Sequence, residues 1–424
     1  MTTPDIQRTI DAVWRIESAR LIASLTRIVR DVGLAEDLAQ GALVAALEQW
    51  PQSGVPDKPG AWLMATAKHH AIDQIRRNVR LEHKTEELGR DLEIEQELGV
   101  PDLDADSDED MGDDLLRLIF IACHPVLSKE ARLALTLRLL GGLTTDEIAR
   151  AFLVPEPTIA QRIVRAKRTL AEAHVPFEVP VGREREARLS SVLEVIYLIF
   201  NEGYSATTGD DWVRPALCED ALRLGRILAE LVSNEPEVHG LVALMEIQTS
   251  RLRARVGSSG EAIPLLEQNR GRWDQLLIQR GFSALLRADS VGGALGPYRL
   301  QAAIAACHAQ AHTPEATDWE RIAALYDALV QLAPSPIVEL NRAVAISMAF
   351  GPMAGLEIVD TLTTEPSLQS YHLLPTVRGD LLAKLGRSTE AGEEFKRAAS
   401  LTRNAREREL LLERAATALK GNST

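Results

Sequence analysis

The most evident chemistry in this sequence is carried by arginine, glutamine and threonine at helical spacing in Leu143 to Leu170, LTTDEIARAFLVPEPTIAQRIVRAKRTL. Thr158, Gln161, Arg162, Arg165, Arg168 and Thr169 share one arc of a helix, while Ile159, Ile163, Ala166 and Leu170 repeat at i, i+4, i+7 and i+11 on the other. A helix that packs on one side and offers such side chains on the other suits the DNA major groove, because they match guanine, adenine and phosphate groups. A surface helix with a merely solvated basic face has the same pattern. Lys167 lies nearer the apolar margin, where it reaches a phosphate at most. Upstream, Thr144 or Thr145 can cap a short first helix whose first turn holds Asp146 and Glu147, where the helix dipole favours acids. Pro155 and Pro157 end that helix, and the second is expected to start near Thr158.

A second constellation lies in AWLMATAKHHAIDQIRRNVR. Trp62, His69, Asp73, Arg76 and Arg80 follow at spacings of 7, 4, 3 and 4, with Arg77 beside them, and Ala65, Ile72, Ile75 and Val79 form the expected buried side. A basic face with an aromatic at one end suits single-stranded DNA, where phosphates are neutralised and bases stack. A Trp at a helix start also packs on a neighbouring helix. His69 and His70 point about 100° apart on a helix and make a poor metal pair. The preceding helix, Ala35 to Trp50, places Leu38, Leu43 and Leu47 inward and Glu36, Asp37 and Gln40 outward, and a proline-bearing loop, Pro51 to Gly60, follows it.

The elements that position these residues are helical throughout, since apolar positions recur at helical spacing and no useful stretch alternates with period two. We read an all-α protein in four blocks: residues 1–80, an acidic linker at 81–114, a helix-turn-helix block at 115–175, and a helical extension at 185–424. The net charge of -14 is unevenly spread. The linker holds 15 acidic against 2 basic side chains, whereas residues 1–80 stand at +1 and 115–176 at +4, so the acidic total does not argue against nucleic acid. In the extension, Leu340 to Leu362 lies over Pro375 to Arg397 at a period of 35 residues, with Gly351 on Gly386. That is the helical-hairpin unit of tetratricopeptide arrays, at about 318–420, and an irregular bundle is the alternative.

Cys123, Cys218 and Cys307 are far apart and read as buried small hydrophobes, not as a disulfide framework or zinc site. The apolar runs are too short to cross a bilayer and the N-terminus lacks the halves of a signal peptide, so a cytoplasmic, soluble protein without membrane contact is expected. There is no P-loop, Gly-x-Gly-x-x-Gly, His-Glu-x-x-His or Gly-x-Ser-x-Gly, and no catalytic residue, metal or cofactor is expected.

Taken together, AEDLAQGAL, PGAWLMATAKHHAIDQIRR and LTTDEIARAFLVPEPTIAQRIVRAKRTL resemble region 2 and region 4 of the extracytoplasmic-function (ECF) sigma factors, over roughly residues 10 to 175. The resemblance implies a non-enzymatic, alternative promoter-recognition subunit of RNA polymerase. It implies that Glu36, Asp37 and Gln40 touch the β′ clamp of core RNA polymerase, that region 4 meets the β flap, and that Trp62, His69, Arg76, Arg77 and Arg80 serve the -10 element. The Pro51 to Gly60 loop would hold a flipped-out -10 base. Thr158, Gln161, Arg162, Arg165 and Arg168 would read the -35 element. Gly41 stands where an acidic residue is frequent in that family, and Leu153 and Pro157 stand where glycines are usual. The remainder resembles the tetratricopeptide-like extension fused to a subgroup of these factors, with a protein partner or intramolecular docking as its expected role. The competing reading is a helix-turn-helix regulator with a tetratricopeptide-like sensory domain, which has no use for the Ala35 to Arg80 block.

Overall fold

Helical periodicity translates into eighteen α-helices and no β-strand among the described residues. The computed structural model describes residues 3–86, 108–152, 154–205, 213–257, 263–402 and 404–420, with the side chains of 3–5, 77–86, 108–111 and 420 outside that description. The acidic stretch assigned to a linker lies outside the described residues over 87–107. Its flanks are helical: 81–86 end one helix and 108–114 open the next. No described helix is long and apolar enough to cross a membrane.

The chain divides into two compact units, Met1–Val195 and Ile196–Thr424. Unit 1 begins with α1 (Thr3–Val29), α2 (Val32–Ser53) and α3 (Pro59–Glu86). The Asp31 carboxylate caps α2 by accepting from the Leu34 N–H at 2.7 Å. α2 packs on both α1 and α3, and Ala35, Ala39, Ala42 and Ala46 of α2 and Leu63, Ala67 and Ala71 of α3 are buried. The inward face of α3 therefore differs from the expected one: Ala65 is exposed, Ile72 and Ile75 are only partly buried, and the Val79 side chain lies outside the described residues. Leu47 of α2, expected inward, is also exposed.

The second half of unit 1 is α4 (Asp108–Ala122), α5 (Lys129–Leu139), α6 (Thr145–Phe152), α7 (Glu156–Glu172) and the start of α8 (Gly182–Tyr204). The apolar run Val192 to Phe200 sits inside α8, across the boundary between the units. On the unit 1 side, the Ser191 hydroxyl donates to the Cys123 carbonyl at 2.7 Å and accepts from Arg132. Glu194 pairs with Lys129 at 2.6 Å and with Arg132 at 3.4 Å, so α8 begins by packing on α4 and α5.

Unit 2 continues with α9 (Pro215–Leu231), α10 (Pro236–Thr249), α11 (Gln275–Val291) and α12 (Pro297–Gln310). Every residue of α10 from Val238 to Ile247 is buried, which fits a helix surrounded by neighbours. Then come α13 (Trp319–Leu332), α14 (Pro336–Phe350), α15 (Pro352–Leu362), α16 (Leu373–Lys384), α17 (Ser388–Leu401) and α18 (Ala405–Lys420), each packed on the next in sequence. Gly351 and Gly386 turn the chain between α14 and α15 and between α16 and α17, both at positive φ, 100° and 76°. The two hairpins share one core. All three cysteines are buried and free, and burial lifts the Cys218 thiol to about 12.

Candidate nucleic-acid interface

The Thr144 hydroxyl, not that of Thr145, caps α6. It accepts from the Glu147 N–H at 3.1 Å while the Glu147 carboxylate accepts from the Thr144 N–H at 2.8 Å, a reciprocal capping box. The second helix of the pair starts at Glu156, earlier than expected. Pro157 fits its first turn because the N–H it lacks has no partner there. Leu153 lies outside the described residues. On α7 the buried set is Ile159, Ile163, Ala166 and Leu170. Gln161, Arg165 and Arg168 are exposed, Thr158, Arg162 and Thr169 are partly exposed, and Arg168 pairs with Glu172 at 2.6 Å. A capped short helix and a second helix with one sealed face thus leave a polar and basic face open.

On α3, His69, Asp73 and Arg76 are exposed together, while the side chains of Arg77 and Arg80 lie outside the described residues. Trp62 is half-buried and stands edge-on to the buried Trp50, with ring centres 5.4 Å apart, so it takes part in packing α3 on α2. The connection between these helices is shorter than Pro51 to Gly60: Pro51 lies in the last turn of α2, and Pro59 and Gly60 open α3.

Glu36 departs most from expectation. It is buried, 3% exposed, because α5 and α7 cover it. Arg138 Nε donates to its Oε1 at 2.6 Å, Lys167 Nζ lies 2.5 Å from its Oε2, and Gln40 Nε2 donates to Oε1 at 2.6 Å. Burial pushes the Glu36 carboxyl up, but Lys167 and Arg138 together outweigh burial, and the group titrates below the usual glutamate range. Asp37, one residue on, is exposed as expected. It lines an open cleft of about 270 Å³ with Leu38, Gly41, His70, Asp73 and Gln74. A Cβ on Gly41 would come within 3.1 Å of His70 Nδ1, so the missing side chain there makes room for the imidazole.

Two further ion pairs join the same halves of unit 1: Arg15 to Glu147 at 2.7 Å and Arg27 to Asp114 at 2.8 Å. Between them Gly142, at φ 70°, rests on α1, where an added Cβ would meet Ser18 Oγ at 2.9 Å and Arg15 Cα at 3.4 Å. The α1–α3 module and the α4–α7 module are docked on each other.

A family model for sigma-70 region 2 matches residues 15–81, and one for sigma-70, region 4, matches residues 117–170. The chain is a sigma-70 family protein. This sigma-70 protein is 43% identical over 387 residues to an uncharacterized protein of Rhizobium meliloti (strain 1021), a match covering 91% of this chain and 90% of the relative, and the two belong to one family. It is 25% identical over 176 residues to the probable ECF RNA polymerase sigma factor SigI of Mycobacterium tuberculosis, covering 42% of this chain and 59% of that protein. A third family model, of unknown function, matches residues 188–289. No solved structure matches the chain. Its sigma-70 domains give the protein a sigma factor role in transcription initiation, and domains of this kind bind core RNA polymerase and promoter DNA.

Two features of the sigma-70 protein escaped sequence reasoning. Val164 is 65% exposed on α7 between Gln161 and Arg168, an apolar residue on the polar face that spacing alone would have placed there. Lys167 and Arg138 are partners of Glu36, and nothing in local periodicity signals contacts across so much chain, 102 residues in the case of Arg138.

Proposed function

We propose that the protein is an alternative sigma factor of the extracytoplasmic-function type, which binds core RNA polymerase and directs initiation at its own promoters. The observation that carries this reading is α7, a helix with one sealed face and an open Gln161, Arg165 and Arg168 face, on the same chain as a region 2 module. Region 4 meets the β flap and α7 enters the major groove at the -35 element. There Thr158, Gln161, Arg162, Arg165 and Arg168 contact bases or phosphates, and Val164 supplies an apolar contact suited to a thymine methyl. His69 and Arg76, with Arg77 and Arg80, serve the -10 element, and the short loop before α3 holds its flipped base. Trp62 acts there from its packed position on Trp50.

Asp37, Gln40 and Glu36 dock the β′ clamp. Glu36 is available for this only when Arg138 and Lys167 release it, so the docked arrangement of regions 2 and 4 is a closed form and polymerase binding selects an open one. The extension is a tetratricopeptide-like regulatory and interaction module. The successive hairpins of α13 to α18 and the glycine turns at 351 and 386 support that reading. The experiment is binding of the purified protein to core polymerase. Asp37→Lys with Gln40→Ala should abolish stable binding without loss of helicity, and undiminished binding would remove α2 from the clamp. A helix-turn-helix regulator would instead bind a palindrome as a dimer and ignore core polymerase.

A further inference from the structure

Three guanidinium groups meet in unit 2, and among the described residues no carboxylate forms an ion pair with them; the exposed Glu315 acts on Arg270 through its charge alone. Arg251 follows α10, Arg255 closes the 3-10 turn Leu252–Ala254, and Arg270 opens the turn Arg270–Arg272. Two rings line them up. The Arg255 guanidinium carbon stands 3.8 Å from the centre of the Tyr204 ring, Arg251 stands 5.8 Å from Tyr204 and 5.7 Å from Trp273, and Arg270 stands 4.8 Å from Trp273.

Arg251 is only 7% exposed and donates to neutral groups, the Tyr204 hydroxyl and the Gln248 side-chain carbonyl. Its Nε is sealed from solvent without an acceptor, as are those of Arg255 and Arg270. Arg270 otherwise serves the fold, donating to the carbonyls of His308 and Ala311 and to the Thr317 hydroxyl. The Arg255 side chain makes no hydrogen bond or ion pair among the described residues. Acids on the adjoining helices are already paired, Glu202 with Arg214 and Glu246 with Arg226. The excess positive charge is felt by His308: burial, Arg251 and Arg270 push its imidazole down to about 3.

Arginine does not relieve burial by losing its proton, and an unpaired buried charge is strongly unfavourable. A folded domain keeps such a cluster when an anion completes it. Guanidinium forks match anions with several oxygens, and groups converging from three points of the chain suit a tetrahedral dianion better than one planar carboxylate. The depth of Arg251 restricts the anionic group to a compact one. We infer that Arg251, Arg255 and Arg270 form a binding site for the phosphate group of a small molecule, with Arg255 and Arg251 as direct ligands and Arg270 adding charge from its structural anchorage. The extension then has a ligand of its own, whether or not it also docks on region 4.

The test is isothermal titration and thermal unfolding of the full chain with inorganic phosphate, glycerol 3-phosphate and succinate, against sodium chloride at equal ionic strength. Saturable binding of a phosphate probe and a raised Tm are expected. Arg255→Gln should weaken that binding by on the order of tenfold, the loss of one charge-assisted contact. The unliganded Arg255→Gln protein should unfold no earlier than the parent, because an unpaired charge has been removed, whereas a purely structural arginine would lower Tm. Absence of saturable phosphate binding, equal binding by the variant, or binding of succinate alone would overturn the assignment. Asp210, Asp211 and Glu261 lie outside the described residues. Binding that emerges only when all three are replaced, by Asp210→Asn, Asp211→Asn and Glu261→Gln, would identify the chain's own carboxylates as partners and overturn it too.

Discussion

At the scale of residues, the contact of Glu36 with Arg138 and Lys167 ties α2 to α5 and α7. A carboxylate that is 3% exposed tolerates burial because two cations face it. Removing both, as in Arg138→Gln with Lys167→Gln, leaves a buried unpaired charge, a change that costs roughly 3–5 kcal/mol in comparable settings. The closed form should open, seen as a larger radius of gyration in X-ray scattering together with tighter binding to core polymerase. An unchanged radius would mean that these pairs do not hold the modules together. Acid should act in the same direction. The Glu36 and Glu147 carboxyls both sit below the usual range, Glu147 because its capping N–H and Arg15 outweigh burial. Their contribution is present above the ordinary glutamate value and is lost as pH falls through the depressed ones. Asp114 has the opposite sign, since burial lifts its carboxyl despite Arg27 and Arg117, and it offsets part of that loss. Scattering across a pH series checks the direction; a closed form that tightens on acidification would contradict it.

At the scale of elements, α6 and α7 are the helices proposed to read promoter DNA, and each has its own test. Thr144→Ala removes half of the capping box and should cost about 1 kcal/mol of stability, measured by denaturant unfolding of the full chain. Arg165→Ala should cost about 1–3 kcal/mol of promoter affinity if the contact is a good bidentate one, with little change in Tm because the side chain is exposed. Equal affinity in Arg165→Ala and Arg162→Ala would take α7 out of the reading role. The pattern of α7 was legible because isoleucine and leucine mark its buried stripe without ambiguity. The buried side of α3 was not, since Ala67 and Ala71 are buried there and alanine carries little signal in a reading weighted to large side chains. Position Thr158 was too late a start for α7 for a related reason: Pro157 looks like a breaker, although a first-turn proline is compatible with a helix.

At the scale of the whole molecule, the order of modules was readable along the chain, but the docking of region 2 on region 4 was not. It rests on pairs such as Arg15 with Glu147 and on the fit of Gly142 against α1, which connect distant parts of the sequence and leave no local period. The first half of α8 belongs to unit 1, where Ser191 and Glu194 meet Arg132. A truncation ending near Val181 removes Ser191 and Glu194 and leaves the buried Arg132 without them, whereas one ending after Val195 keeps both. The shorter protein should unfold at lower temperature and transcribe less at equal core affinity, and equal behaviour of the two would leave α8 without a supporting role. The central claim, that this sigma-70 protein is a promoter-selecting subunit, is tested most directly by run-off transcription from a randomised promoter library with core polymerase alone and with the full-length protein added. Start sites that depend on the added protein and share two short elements at the spacing of -35 and -10 sequences are expected. Transcription unchanged by the protein, with no stable complex between it and core polymerase, would contradict the claim.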